Sequence, residues 1–147
     1  MADETRAPLG RVLVVDDTEA SRYAVSRHLR RAGYEVDEAG SAMQTFALME
    51  ETRPDVVVLD VMLPKLDGIS VLGTLANDEQ TRDLPVILLT AKTQLEDRRA
   101  GWRAGCSEYL TKPFSPVDLV GIAERARAMS AVERSDRRQH ELAQLGV

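Results

Sequence analysis

Hydrophobic residues in this chain gather in short unbroken runs, and each run ends on polar side chains. Val56-Val57-Val58-Leu59 ends on Asp60, and Val12-Leu13-Val14-Val15 ends on Asp16-Asp17. Val86-Ile87-Leu88-Leu89 ends on Thr90, and Tyr109-Leu110-Thr111 leads into Lys112-Pro113. β-favouring runs without a polar break suit strands buried on both faces, as in a parallel sheet. A carboxylate in mid-strand would be costly to bury. At the carboxyl end of a strand it reaches the crevice where open α/β sheets place their chemistry.

Between the runs the periodicity changes to that of helices. From about Glu19 to Arg31, Ala20, Tyr23, Ala24, Leu29 and Ala32 partly trace a helical stripe, with Thr18 or Asp17 as cap and Gly33 as stop. The half-polar stretch from Tyr34 to Ala39 predicts a half-exposed edge strand. Ser41 is placed to cap a helix through about Glu51, with Met43, Phe46 and Ala47 at helical spacing. Pro64 and Gly68 make the stretch after Asp60 a structured loop, and a third helix follows to about Asn77. A fourth helix runs from about Gln94 to Ala104, with Gly105 as stop. Ser115 and Pro116 open a fifth.

Five strands alternating with five helices over short links predict an α/β fold with a parallel sheet and helices on both faces. The polar second strand belongs at an edge, which favours the flavodoxin-like strand order 2-1-3-4-5 in a three-layer sandwich. Residues 1–10 read as a flexible tail, 11–128 as one domain, and 129–147 as a helical extension or linker. Glu133, Arg137 and Glu141 stand four residues apart there, so the last helix is expected to run on past residue 128. The stretch reads as a solvated tail, or as a signalling helix leading to an output domain; its apolar positions are too irregular for a coiled coil.

Bulk properties exclude some classes. The net charge of -5 argues against non-specific nucleic-acid or membrane binding. No apolar run has the length of a membrane span. The polar residues from Met1 to Pro8 lack a signal-peptide core, which makes the cytoplasm the expected compartment. The single Cys106 has no internal disulfide partner and reads as a small buried side chain. Trp102 reads as a partly exposed packing residue, and His28 as a helix-surface one.

The strand ends bring together Asp16, Asp17, Asp60, Thr90 and Lys112. Three neighbouring carboxylates repel one another, and a hard divalent cation resolves this. Magnesium takes oxygen ligands and is typically held by one or two carboxylates plus a phosphate. The expected ligands are Asp17, Asp60 and the backbone carbonyl of Met62, with Asp16 acting mainly through water. Asp60 is the expected phosphorus nucleophile. Lys112 and Thr90 would neutralise and hydrogen-bond the transferred oxygens.

These residues resemble the receiver domain of two-component response regulators. The matching pieces are Val15-Asp16-Asp17, Leu59-Asp60-Val61-Met62-Leu63-Pro64 with Asp67-Gly68, Leu89-Thr90-Ala91, and Tyr109-Leu110-Thr111-Lys112-Pro113-Phe114. They lie in order within residues 11–128. The resemblance implies that a histidine kinase or phosphotransfer protein donates phosphate to Asp60, with magnesium as cofactor. It implies a cis peptide bond between Lys112 and Pro113. It also implies a switch in which Thr90 moves toward the phosphate and Tyr109 turns inward. The surface of the fourth helix, fifth strand and fifth helix would then change toward an output domain, a downstream protein or a second copy. Such a module catalyses its own phosphorylation and dephosphorylation and is not a turnover enzyme.

Competing classes need residues that are absent. A haloacid-dehalogenase-type hydrolase wants an Asp two residues after its nucleophile, where this chain has Thr18 after Asp16 and Met62 after Asp60. A flavodoxin needs a phosphate-cradling loop after the first strand, where Asp16-Asp17 would repel the phosphate. His140-Glu141-Leu142 faintly resembles a kinase phosphoacceptor box, but Ala143-Gln144 stands where Arg and Pro should follow. A receiver-like module that binds proteins without phosphorylation is the alternative reading.

Overall fold

Each apolar run is a strand. In the computed structural model, which describes residues 7–63 and 67–147, these are β1 (Arg11–Val15), β3 (Val56–Asp60), β4 (Val86–Thr90) and β5 (Glu108–Thr111); β2 (Glu35–Ala39) is the half-polar one. All pairings are parallel and the order is β2-β1-β3-β4-β5. The three central strands are buried on both faces because both faces are covered by helices. Side chains alternate between the faces. Leu13, Val57, Leu59 and Leu88 pack with Met49 of α2 (Ala42–Thr52), Val71, Leu72 and Leu75 of α3 (Gly68–Ala76), and Trp102 of α4 (Leu95–Ala104). Val12, Val14, Val58, Ile87 and Leu89 pack with Val25 and Leu29 of α1 (Glu19–Arg31), and with Leu119 and Ala123 of α5 (Pro116–Ala128). The chain is a flavodoxin-like three-layer α/β sandwich.

The helix starts carry the expected chemistry in part. Ser41 Oγ accepts from the Gln44 N–H at 3.2 Å, and Asp67 Oδ1 from the Ser70 N–H at 2.8 Å. Thr18 and Ser115 stand at N-cap positions without a side-chain cap hydrogen bond. Tyr23 and Met43, expected on apolar stripes, are exposed. The tail expected over residues 1–10 lies outside the described residues as far as residue 6; beyond it, the Leu9 N–H donates to the Gly33 carbonyl at 3.0 Å. The expected loop after Asp60 lies outside them at residues 64–66.

The last helix does not run on. α5 ends at Ala128, Met129 is extended, and a separate α6 (Ala131–Gln144) begins. The cause is a capping box: Ser130 Oγ accepts from the Glu133 N–H at 3.1 Å, and Glu133 accepts from the Ser130 N–H at 3.0 Å. Nor is α6 a solvated tail. It returns along α4, and Leu142 and Leu145 pack against the core. Trp102, expected to be partly exposed, is 2% exposed beneath it. Among the described residues no helix is long and apolar enough to cross a membrane.

Ser26 on α1 is fully buried, and its hydroxyl has no hydrogen-bond partner. An unpaired buried hydroxyl costs free energy that an apolar group does not. Ser26→Ala is therefore expected to raise stability by about 1 kcal/mol, read as a higher urea midpoint at unchanged m-value.

Candidate functional site

Asp60 is the last residue of β3, paired in register with Leu89 of β4. The residue is 5% exposed, and both of its carboxylate oxygens are engaged. Oδ1 accepts from the Met62 N–H at 2.7 Å; Oδ2 accepts from Lys112 Nζ at 2.6 Å. Lys112 follows β5. Its N–H donates to the Thr90 carbonyl at 2.8 Å, which extends the ladder and carries the ammonium to the sheet edge. The Lys112–Pro113 peptide bond is cis.

Asp16 lies at the end of β1 and is 3% exposed. Its Oδ1 accepts from the Thr18 N–H at 2.9 Å, and Oδ2 stands 3.7 Å from Lys112 Nζ. One ammonium is thus shared by two buried carboxylates. Burial alone would lower the Lys112 pKa; the hydrogen bond and charge of Asp60, and then the charge of Asp16, outweigh it and hold the group above the ordinary lysine value.

The other expected residues sit around this core. Asp17 is exposed, and Thr18 Oγ1 lies 3.5 Å from its carboxylate. Asp16 and Asp17 both follow the end of β1, Asp16 buried and Asp17 exposed. Thr90, fully buried, accepts from the Lys92 N–H at 3.0 Å through its hydroxyl. Tyr109 is buried and its phenol donates to the Lys92 carbonyl at 2.8 Å. Thr90 and Tyr109 therefore meet on one backbone unit. Burial, then the charge of Asp97, hold the Tyr109 phenol above its ordinary pKa. Met62 is exposed at the mouth. Cys106 is fully buried, and burial pushes its thiol far above the ordinary range, so it is inert as a nucleophile.

Asp16, Asp17, Asp60 and the Met62 carbonyl are hard oxygen donors suited to a divalent cation. Among the described residues, no three His, Cys, Asp or Glu side chains already converge to hold a metal ion. A groove of about 1110 Å³, lined by Phe46, Met49, Arg53 and Leu84 among others, lies between α2 and α3 and holds none of these residues.

One support of the site, Arg22, escaped sequence reasoning, and a second, Gly68, was read only as a loop residue and motif match. Arg22 of α1 donates to the Asp16 carbonyl at 2.8 Å and pairs with Glu38 at 3.2 Å, which fixes the β1 end against β2. Gly68 packs its backbone against Asp60: a Cβ there would lie 2.5 Å from the Asp60 carbonyl oxygen. Arg22 on a helix carries no local signal. Gly68 had one, a glycine opening a helix just after the acidic strand end.

The family model of the response regulator receiver domain matches residues 12–124. The chain belongs to this family. The receiver is 40% identical over 127 residues to the DNA-binding dual master transcriptional regulator RpaA of Synechocystis sp., covering 86% of this chain and 51% of that protein. A putative response regulator from Chloroflexus aurantiacus superposes with a TM-score of 0.79 at 33% identity, covering 84% of this chain and all of that one. The BeF3-activated DrrB receiver domain gives a TM-score of 0.72 at 32% identity, covering 80% and 96%. The chain spans about half the length of the curated relatives it matches.

Proposed function

We propose that this receiver accepts a phosphoryl group from a histidine kinase or phosphotransfer protein onto Asp60, and that the modified form acts in the cytoplasm on an output domain or partner. The observation that carries the reading is the buried Asp60 carboxylate with the Lys112 ammonium 2.6 Å away. A carboxylate oxygen attacks phosphorus; the phosphorus–nitrogen bond of the donor breaks, and the electron pair leaves with the imidazole nitrogen. Lys112 stays beside the reacting centre and neutralises a phosphoryl oxygen. Catalysis here is positioning and charge neutralisation. Loss of the group follows when water attacks phosphorus, releasing phosphate and restoring the Asp60 carboxylate.

The donor set fits magnesium: two buried carboxylates share one ammonium, a third carboxylate stands at the rim, and every donor is a hard oxygen. Asp17, Asp60 and the Met62 carbonyl would hold the ion, with Asp16 acting through water. When bound, the ion supplies charge neutralisation at the transferred oxygens.

The switch follows from the hydrogen bonds of Thr90. Its hydroxyl serves the neutral Lys92 N–H. Turned toward a phosphoryl dianion it would donate a charge-assisted bond, about twice as strong as a neutral one. That difference shifts the population toward a state with Thr90 on the phosphoryl group and holds Tyr109, which is already buried on the Lys92 carbonyl, turned in. The effect reaches the face of α4, β5 and α5.

Beryllofluoride with magnesium tests the site by fluorine NMR. A bound signal is expected in the wild type and none in Asp60→Asn. A signal that survives in Asp60→Asn places the acceptor elsewhere. No signal in either leaves the module as a phosphorylation-independent protein binder.

A further inference from the structure

α6 is held mostly by arginines, with only the partly buried Leu142 and, just past its end, Leu145 packed on the core; none of its residues is fully buried. Arg137 grips Glu108 at the start of β5 through Nη2 at 2.8 Å and Nε at 3.2 Å, with its guanidinium 5.8 Å from the centre of the Trp102 ring. Arg138 donates to the carbonyls of Gly105 at 2.9 Å and Cys106 at 3.1 Å, at the C-terminal end of α4. In return Arg99 of α4 donates to the Leu145 carbonyl at 2.8 Å, at the end of α6. The two helices exchange cations for each other's terminal carbonyls, where partial negative charge collects.

α4 in turn closes on Tyr109. A Cβ at Gly101 would lie 2.8 Å from Tyr109 Cδ2 and 3.0 Å from Leu88 Cδ1, so the helix rests on the ring with no room between. The phenol reaches the Lys92 carbonyl, and the Lys92 N–H reaches Thr90. Contacts therefore run unbroken from the α6 arginines through α4 and Tyr109 to Thr90.

We propose that α6 is a clamp on α4 that holds Tyr109 buried, so that α6 docking and a phosphoryl group on Asp60 strengthen each other. The proposal rests on the preceding reading, in which the phosphoryl-bearing state has Tyr109 turned in. Arg137 and Arg138 are positioning residues: they act through α4 and touch no reacting atom. A helix held by polar contacts at its surface belongs to the weakly held end of the structure, which suits a reversible element. Coupling between sites is reciprocal.

Trp102 is the chain's only tryptophan and lies under Arg137, so its quenching by acrylamide reads α6 docking directly. The comparison is the wild-type chain of residues 1–147, the double variant Arg137→Ala/Arg138→Ala, and Arg103→Ala, which removes an exposed cation from α4. Beryllofluoride with magnesium should lower Trp102 quenching in the wild type. The double variant should show raised quenching and about fivefold or more weaker beryllofluoride binding, with Arg103→Ala like wild type. Raised quenching with unchanged binding would make α6 a passive cover and overturn the clamp. Wild-type quenching that ignores bound beryllofluoride would overturn it too, and needs no variant to fold. No beryllofluoride binding by the wild type would instead overturn the Asp60 reading, and the clamp with it.

Discussion

Lys112→Met is expected to slow phosphoryl uptake from acetyl phosphate by about 10²–10³-fold, the usual loss for one charge-stabilising donor at a reacting centre. The variant keeps the side-chain stem and removes the ammonium that stands 2.6 Å from Asp60 and 3.7 Å from Asp16. The two carboxylates are then left without that cation, so thermal stability should fall in metal-free buffer. Added magnesium should restore more stability to the variant than to the wild type. The pH dependence has a definite sign. Lys112 is held above its ordinary value of 10.5 in the fold. A group raised on folding contributes stability below its unfolded value and loses it as pH climbs through the folded one. The stability gap between wild type and Lys112→Met should stay constant from about pH 7 to about pH 9 and close in strong alkali. Urea titrations at several pH values read the gap; one that closed on acidification within the neutral range would contradict this placement of the charge.

Gly68→Ala is expected to destabilise the chain by about 1–3 kcal/mol or more and to cut phosphorylation by about 10²-fold. The added methyl would lie 2.5 Å from the Asp60 carbonyl oxygen and 2.8 Å from Val61 Cα. Both are backbone atoms, so no side chain can swing away. The end of β3 and the start of α3 must separate, and the nucleophile moves with them. Gly73→Ala is the control. It lies in the same helix with nothing within 4 Å of the new methyl. Replacing an unobstructed glycine inside a helix should stabilise by up to about 1 kcal/mol. Equal effects at the two positions would show that helix propensity, not the contact with Asp60, sets the outcome.

Much of the fold was legible because its strands are buried on both faces. Such strands must be continuously apolar, so Val56 to Leu59 and Val86 to Leu89 declared themselves, and half-polar β2 declared itself an edge. The candidate site was legible for the same reason: a polar side chain closing an apolar run has only the sheet edge to occupy. What stayed hidden depends on contacts between distant residues. The return of α6 rests on Arg137 meeting Glu108 and on Arg138 meeting the end of α4. Trp102 is buried because α6 comes back over it. The Ser130–Glu133 capping box was readable as a helix start, but the helix-friendly residues around it suggested one continuous helix. The link between Thr90 and Tyr109 runs through the Lys92 backbone, and a backbone N–H and carbonyl leave no mark on the sequence.

The central claim, that Asp60 accepts a phosphoryl group, is tested most directly by intact mass after incubation with acetyl phosphate. Wild type and Asp60→Asn would be run with and without magnesium. One phosphoryl adduct on the wild type that requires magnesium and is absent from Asp60→Asn is the expected result. An adduct of equal yield on Asp60→Asn, or none on the wild type under conditions where hydrolysis is slow, would contradict it.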